Sequence, residues 1–305
     1  MIHNNLISSR ISPICMKGLR KYAKSSYSGM LIDDLSRSFK ISLSQKPYSE
    51  GFYSVHPSKD RLELLLSFRD RWTDYDYDRL LCAILHDLII NGKAYAEIIT
   101  WKRHNTENDT EEYMGLSIEP IHVKCAKHIG RRYCFKGSNL KGEAVSFIIN
   151  AKHIICFDLK DLGLTRNYFR KLFRRLQSID IQNAANLVID KTVEKRYDFK
   201  EHVKKNELKL LQYTHSLYWY GRNMSNQHLS ESYRLYREIH LKLLKQTILD
   251  YLLKQINNAL SNFKTELGFE GIIVAKQLAY DYEAEFKKYY TGELNAEQLA
   301  QIIYC

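Results

Sequence analysis

The stretch DRLLCAILHDLIINGKAYAEIIT, residues 78–100, decides the fold because it carries two different hydrophobic periods on either side of one glycine. Leucine and isoleucine recur at helical spacing from Leu80 to Leu88. From Ala94 to Thr100, one set of residues at every second position alternates with another set, as the two faces of a strand require. Asn91-Gly92 separates the two segments, and glycine accommodates the left-handed backbone that ends a helix. The sequence therefore predicts a helix, a tight turn and a strand that doubles back along the helix.

The composition is that of a globular chain with a basic balance. Of the 305 residues, 45% are hydrophobic, which is enough to bury a core. The chain has 46 lysines and arginines against 35 acidic residues, a formal net charge of +11. Such a charge favours anionic partners such as nucleic acid, but basic chains also use their charge in oligomer contacts and for solubility. Charge alone leaves these alternatives open.

The cysteines and the hydrophobic runs predict the compartment. Six scattered cysteines are too few for a disulfide framework in a chain of this length, so we expect a reduced, cytosolic setting. No apolar run reaches the ~18 residues of a membrane span, and the N-terminus has no signal-peptide pattern. We expect no membrane partner and no secretion.

The order of periodic segments predicts an α+β fold in three regions. Residues 1–60 are predicted to form a partly irregular N-terminal arm, with short apolar patches such as Met30–Leu35 and one short helix at an unspecified place. Residues 61–165 are predicted to form an α/β core. Within this core we expect a short helix at 61–68, an acidic helix start at 73–78, a polar, hairpin-like loop at 102–113 and a mostly β segment from 94 to 157.

The third region, residues 166–305, is predicted to be mainly helical. A first helix is expected over 165–195, and a long helix over 229–263. Between them, 197–226 is polar, and its aromatic cluster LYWYG at 217–221 is interpreted as packing rather than base stacking. A short strand at 272–274, a helix over about 275–290 and a last helix follow. Asn295 and Gln298 before that last helix have the spacing of a capping box.

Five cations cluster at the start of the first helix of this region. Their spacing predicts that they project from one side, as contacts to DNA or to a neighbouring subunit: Arg166, Arg170, Lys171, Arg174 and Arg175. A solvated helix face is the alternative interpretation.

A group of histidines and cysteines is the main candidate for a metal site. It consists of His122, Cys125, His128, Cys134, His153 and Cys156. Its spacing is not a usual zinc pattern, and in an extended segment His122 and Cys125 would point to opposite faces. We therefore predict no metal and no cofactor, with a metal-dependent enzyme as the least favoured hypothesis.

The sequence contains no recognised catalytic motif. His86 and Asp87 are adjacent, but adjacent helical residues diverge by about 100 degrees and do not form a proton relay. Nucleophile, phosphate-loop and dinucleotide motifs are absent from the sequence. We predict a protein that is not an enzyme.

Four segments in order make the chain similar to the portal proteins of tailed bacteriophages. They are LLCAILHDLIINGKAYAEII at 80–99, LSIEPIHV at 116–123, AKHIICFDLKDLGLT at 151–165 and the basic helix that begins near Arg166. The resemblance covers roughly residues 60–195. Chains of that family are generally longer, and after Lys195 the match is limited to the presence of long helices.

The resemblance implies a homo-oligomeric ring at the capsid vertex, through which double-stranded DNA passes during packaging and ejection. Terminase and head-completion or capsid proteins would be its partners, and the protein would belong to the virion and assemble in the host cytoplasm. The matching residues are implied to act as fold determinants: Gly92, Ala94, Tyr95, Glu97, His153 and Gly163. The alternative hypothesis is a non-catalytic nucleic-acid-binding protein that uses the basic helix.

Overall fold

The computed structural model describes residues 6–8, 26–36, 53–56, 74–105, 110–123, 126–138, 143–189, 199–221, 230–267, 271–275 and 280–304. The fold is α+β, as the sequence predicts, with helices and three small antiparallel sheets. The chain divides into two compact units. The first comprises residues 1–19, 48–166 and 249–276, and the second comprises residues 20–47, 167–248 and 277–305.

The first unit is built on a central strand that follows the predicted helix and turn. Helix α2 (Asp74–Asn91) leads into β3 (Lys93–Asn105), which pairs along one edge with β4 (Thr110–Ile121). The other edge of β3 pairs with β8 (Ile154–Asp158) and with β1 (Leu6–Ser8). Residues 94–100 are all buried, because this central strand is covered on both faces.

Two smaller sheets complete the first unit. Strands β5 (Ala126–Ile129), β6 (Arg132–Ser138) and β7 (Ala144–Asn150) form a three-stranded sheet. Its inner face packs in one apolar cluster with residues of the central sheet: Tyr95, Ile121, Val123, Phe135, Phe147, Ile149 and Ile154. Strand β2 (Tyr53–His56) pairs with β9 (Ile272–Ala275).

The second unit is helical. It contains α1 (Ser26–Ser36), α3 (Tyr168–Ile189), α4 (Phe199–Tyr213), α7 (Tyr282–Tyr290) and α8 (Ala296–Tyr304). The long helix α5 (Glu231–Ser261) contributes its residues up to 248 to this unit and the rest to the first unit. Its 31 residues extend about 46 Å at 1.5 Å per residue. A short helix α6 (Lys264–Leu267) follows it.

A buried arginine organises the second unit. Arg237 of α5 is fully buried, and its guanidinium donates to the carbonyl oxygens of Tyr218, Thr214 and Trp219 at 3.1, 3.1 and 2.7 Å. It also donates to the hydroxyl of Tyr233 at 3.0 Å. Thr214 directly follows α4, so the cation satisfies carbonyls at the negative end of that helix.

Several predicted boundaries were wrong. The hairpin expected at 102–113 is confirmed by the antiparallel pairing of β3 with β4, but the loop was predicted too long, because β3 continues to Asn105 and β4 begins at Thr110. The backbone pairing of β3 with β4 holds these polar residues in strands. Helix α4 was missed within the polar segment 197–226, since its buried face is short. The helix expected over about 275–290 begins only at Tyr282.

Other expectations hold with changed limits. The helix expected over 165–195 begins at Tyr168 and is described to Ile189. The compact units do not coincide with the predicted regions 1–60, 61–165 and 166–305, because residues 249–276 join the first unit. The helix predicted at 61–68 lies outside the described residues. None of the helices in the described part of the chain is long and apolar enough to cross a membrane.

Candidate contact surfaces and the motif junction

The two glycine-containing segments that carry the portal resemblance meet at Gly92. This residue has a left-handed backbone with φ of 75° and ends α2, where its N–H donates to the Leu88 carbonyl at 2.8 Å. Its own carbonyl accepts from the N–H of Leu159 at 3.2 Å. A Cβ at position 92 would lie 2.3 Å from the carbonyl oxygen of Arg166. We call this contact the motif junction, and only glycine fits it without displacement.

Ionic contacts surround the motif junction. Arg166 Nε donates to both carboxylate oxygens of Asp158 at 3.0 and 2.9 Å, and Lys93 Nζ lies 3.4 Å from the same carboxylate. Burial by itself would raise the pKa of Asp158, but the Arg166 hydrogen bonds, the Lys160 amide and Lys93 lower it to about 2. The carboxylate therefore stays charged and ties β3, β8 and Arg166 together.

A tyrosine from the long helix binds the same corner of the first unit. The hydroxyl of Tyr251 accepts from the N–H of Asp158 at 2.9 Å and donates to the Asp161 carboxylate at 2.9 Å. Its ring lies edge-on to Phe157, 6.5 Å between centroids. Burial raises the pKa of Tyr251 well above its ordinary value, so the hydroxyl remains a donor. These contacts hold residue 251 of α5 against the end of β8.

The other residues that match the portal motif are also structural. Ala94, Tyr95 and Glu97 are buried in β3, and the Tyr95 ring lies edge-on to Phe135 with centroids 5.5 Å apart. His153 was expected in the strand, but it ends a 3-10 turn at 151–153, and its Nδ1 donates to the carbonyl of Ile98 at 2.9 Å. Gly163 has φ of 73° and ends the 3-10 turn at 159–162.

Helix α3 presents the predicted cations to solvent, with one exception. Arg170, Lys171, Arg174 and Arg175 are exposed on one side of the helix, and we call them the helical basic face. The opposite side is buried through Phe169, Leu172, Phe173 and Leu176. Arg166 does not belong to this face, because it precedes the helix and pairs with Asp158.

A second basic surface was not predicted from the sequence. The side of the β5–β7 sheet away from the apolar cluster, which we call the outer sheet face, carries Lys127, Ile129, Arg132, Cys134, Lys136, Ser146 and Ile148. Lysine and arginine alternate with inward residues along β6. The absence of any Asp or Glu from 126 to 142 could have indicated this surface.

The histidine and cysteine group does not converge in the part of the chain that the structure describes. His122 Nδ1 donates to Asp87 at 2.6 Å, whereas His128 is exposed and stacks on Tyr133 with centroids 4.5 Å apart. Burial raises the pKa of the Cys156 thiol, which disfavours the thiolate that binds metals. Cys125 lies outside the described residues. Among the described residues, no three His, Cys, Asp or Glu side chains are grouped to hold a metal ion.

Asp87 contacts two histidines, and only the neighbouring one could be considered from sequence. His86 Nδ1 lies 3.6 Å from Asp87 Oδ1, and His122, which is 35 residues away, makes the closer contact. Burial would raise the pKa of Asp87, but the hydrogen bonds from His122 and His86 lower it below its ordinary value. The hydrogen bond with Asp87 raises the pKa of His122 against the opposing effect of burial. The contact ties α2 to the end of β4.

The aromatic cluster at 217–221 packs inside the second unit, which confirms the packing interpretation. Trp219 is 2% exposed, and its Nε1 donates to Asp34 at 2.8 Å. The hydroxyl of Tyr220 donates to Glu238 at 2.8 Å. These residues line a cavity of about 360 Å³ together with Gly221, Leu241 and Lys245. The carboxylates of Asp34 and Glu238 in its lining already accept hydrogen bonds from Trp219 and Tyr220.

No model of a known protein family matches this chain, and a search of curated proteins finds no match.

Proposed function

We propose that this chain is a portal-like structural subunit that assembles into a homo-oligomeric ring and conducts double-stranded DNA without chemistry of its own. The single observation that carries the proposal is the motif junction. The segments 80–99 and 151–165, which resemble portal sequences, pair through β3 and β8 and through the hydrogen bond from Leu159 to the Gly92 carbonyl, and Gly92 also faces the carbonyl of Arg166 directly after the second segment. The two segments that resemble portal sequences therefore lie together in one part of the fold.

The exposed cations of α3 support a subunit that contacts the phosphates of DNA. The helical basic face presents Arg170, Lys171, Arg174 and Arg175 to solvent. A translocation channel has to hold phosphates loosely so that DNA can slide, because each neutralised phosphate adds salt-dependent affinity. A short face of four cations meets this requirement better than a continuous basic lining.

The proposal extends to location and partners. A ring subunit of this kind would assemble in the host cytoplasm, occupy the capsid vertex of the virion and contact terminase and head-completion or capsid proteins. The motif residues Gly92, Ala94, Tyr95, Glu97, His153 and Gly163 would maintain the subunit fold. The burial of Ala94, Tyr95 and Glu97, the positive φ of Gly92 and Gly163 and the hydrogen bond from His153 to the Ile98 carbonyl support this role.

The direct test is the mass of the full chain in solution together with negative-stain images. We expect an oligomer whose images show a ring with a central hole. A monomer at high protein concentration and moderate salt contradicts the proposal.

A second candidate function is a monomeric or dimeric nucleic-acid-binding protein, and the exposure of the helical basic face favours it. The two functions separate with the variant Arg170→Glu/Arg174→Glu. Its matched control is Lys200→Glu/Lys204→Glu, which reverses two exposed cations with the same spacing on α4. For a direct phosphate contact, the first variant lowers the slope of log affinity against log salt by about 2, and the control leaves the slope unchanged. Unchanged assembly and unchanged DNA binding in both variants reject a role for the helical basic face.

A further inference from the structure

The outer sheet face combines like charges with exposed apolar side chains. The strand register places Arg132 between Ile129 and Asn150, and Cys134 between Lys127 and Ile148. Ile129 is 62% exposed and Ile148 is 51% exposed. The two isoleucines lie on the outer strands with the cations of β6 between them, so the face offers two apolar contact points within a basic surface.

The chemistry of this face favours an acidic protein surface over nucleic acid. Residues 126–138 contain four lysines and arginines and no Asp or Glu. The aromatic residues of these strands, Tyr133, Phe135 and Phe147, belong to the inner apolar cluster. Sheets that bind single-stranded nucleic acid stack the bases on outward aromatic rings, and the described outer face has isoleucine in their place. A partner with carboxylates around an apolar side chain fits it better.

The C-terminal helix pair of the same chain has a surface of that kind. Tyr290 at the end of α7 is 83% exposed, and Glu293 and Glu297 are exposed in the following turn and at the start of α8. Lys287 and Lys288 are exposed directly before this stretch, and Lys288 pairs with Glu285 at 2.7 Å. Residues 289–305 contain the two carboxylates and no lysine or arginine. We call Tyr290, Glu293 and Glu297 the acidic turn surface. The Asn295 and Gln298 capping box fixes its backbone.

We propose that the outer sheet face of one copy binds the acidic turn surface of the next copy. The two surfaces are different parts of one chain, so the contact is heterologous, and repetition of a heterologous contact produces closed rings or open filaments. Exposed ion pairs contribute little individually, so the cations and carboxylates set the orientation while Ile129, Ile148 and Tyr290 supply the apolar burial. This inference rests on the proposed ring and names the surfaces that build it.

The test is a charge exchange in the full chain. One variant carries Arg132→Glu and Lys136→Glu, and the other carries Glu293→Lys and Glu297→Lys. We expect each variant alone to assemble about tenfold more weakly, because like charges then face each other. The chain with all four substitutions regains assembly. An equimolar mixture of the two double variants also regains it, because each altered surface then meets an oppositely charged one. Sedimentation velocity measures all four samples, and Lys200→Glu/Lys204→Glu serves as the control for the change in net charge of the Arg132→Glu/Lys136→Glu variant.

The outcomes distinguish this inference from the proposed function. A wild-type chain that remains monomeric overturns both. A wild-type ring with undiminished assembly of both double variants overturns the surface assignment and leaves the ring intact. Normal assembly with weaker DNA retention in the Arg132→Glu/Lys136→Glu variant identifies the outer sheet face as a nucleic-acid surface and also overturns the inference.

A variant without charge reversal guards against a folding defect, which circular dichroism would reveal. Ile148→Thr keeps a β-branched side chain on the exposed edge of the sheet but removes apolar contact area. We expect it to fold as the wild type does and to assemble several-fold more weakly. Assembly equal to that of the wild type contradicts the inference.

Discussion

Replacement of Gly92 with alanine tests the motif junction, because two separate costs can be assigned to it. The left-handed backbone costs a non-glycine residue about 1–2 kcal/mol. The new Cβ would also lie 2.3 Å from the Arg166 carbonyl oxygen, so the backbone of one segment must move. Overpacking of this kind costs about 1–3 kcal/mol. We expect Gly92→Ala to lower the free energy of unfolding of the first unit by about 2–5 kcal/mol.

Gly163→Ala is a matched control within the same unit. Gly163 has φ of 73°, almost equal to the 75° of Gly92, but a Cβ there meets no atom within 4 Å. Only the backbone cost applies, so we expect a loss of about 1–2 kcal/mol. The difference between the two variants therefore measures the close approach at the motif junction.

Hydrogen exchange is the suitable assay, because a chain with two compact units does not guarantee a single unfolding transition. The amides of 93–99 in the central strand report on the first unit. A loss of 2 kcal/mol or more lowers their protection roughly 30-fold or more. Amides of α4 in the second unit supply the internal reference. Equal losses of protection in Gly92→Ala and Gly163→Ala would refute the contact with Arg166.

Three further predictions concern other contacts. Arg237→Leu should cost about 3–5 kcal/mol, since it leaves several buried carbonyls without a donor, and Arg237→Lys should recover only part of this in thermal unfolding of the second unit. The raised pKa of His122 means that its contribution to stability is complete below the ordinary value of 6.5 and is lost as the pH rises through the folded pKa. The lowered pKa of Asp87 means that its contribution to stability is complete above 3.8 and is lost as the pH falls through the folded pKa. Because the contribution of His122 is lost as the pH rises, His122→Gln should flatten the decline of stability with rising pH. An unchanged decline contradicts this prediction. Asn295→Ala removes the capping box and should cost about 1 kcal/mol in the melting of the C-terminal helix pair. Gln301→Ala, at an exposed position inside α8, should cause no loss, because alanine is the best helix former.

Local sequence was sufficient where neighbouring residues decide the backbone. The helix, turn and strand around Gly92 followed from a change of period at a residue that tolerates positive φ. The capping box was predictable because Asn295 and Gln298 hydrogen-bond within a single turn. The extension of β3 to Asn105 was not predictable, since polar residues there are held by pairing with β4.

The sequence by itself determined the α+β class, the turn at Gly92 and the presence of cations on α3, because these depend on propensities and periods within a few residues. Tertiary structure decided which charges remain available. Arg166 forms an ion pair with Asp158, and Arg237 is buried among carbonyl groups. The sequence around these two arginines does not distinguish them from arginines on the surface. Packing also brought Gly92 against Arg166 and turned Arg132 and Lys136 outward. The groups that surround a side chain come from segments that are distant in the chain, and the local sequence does not show which segments those are.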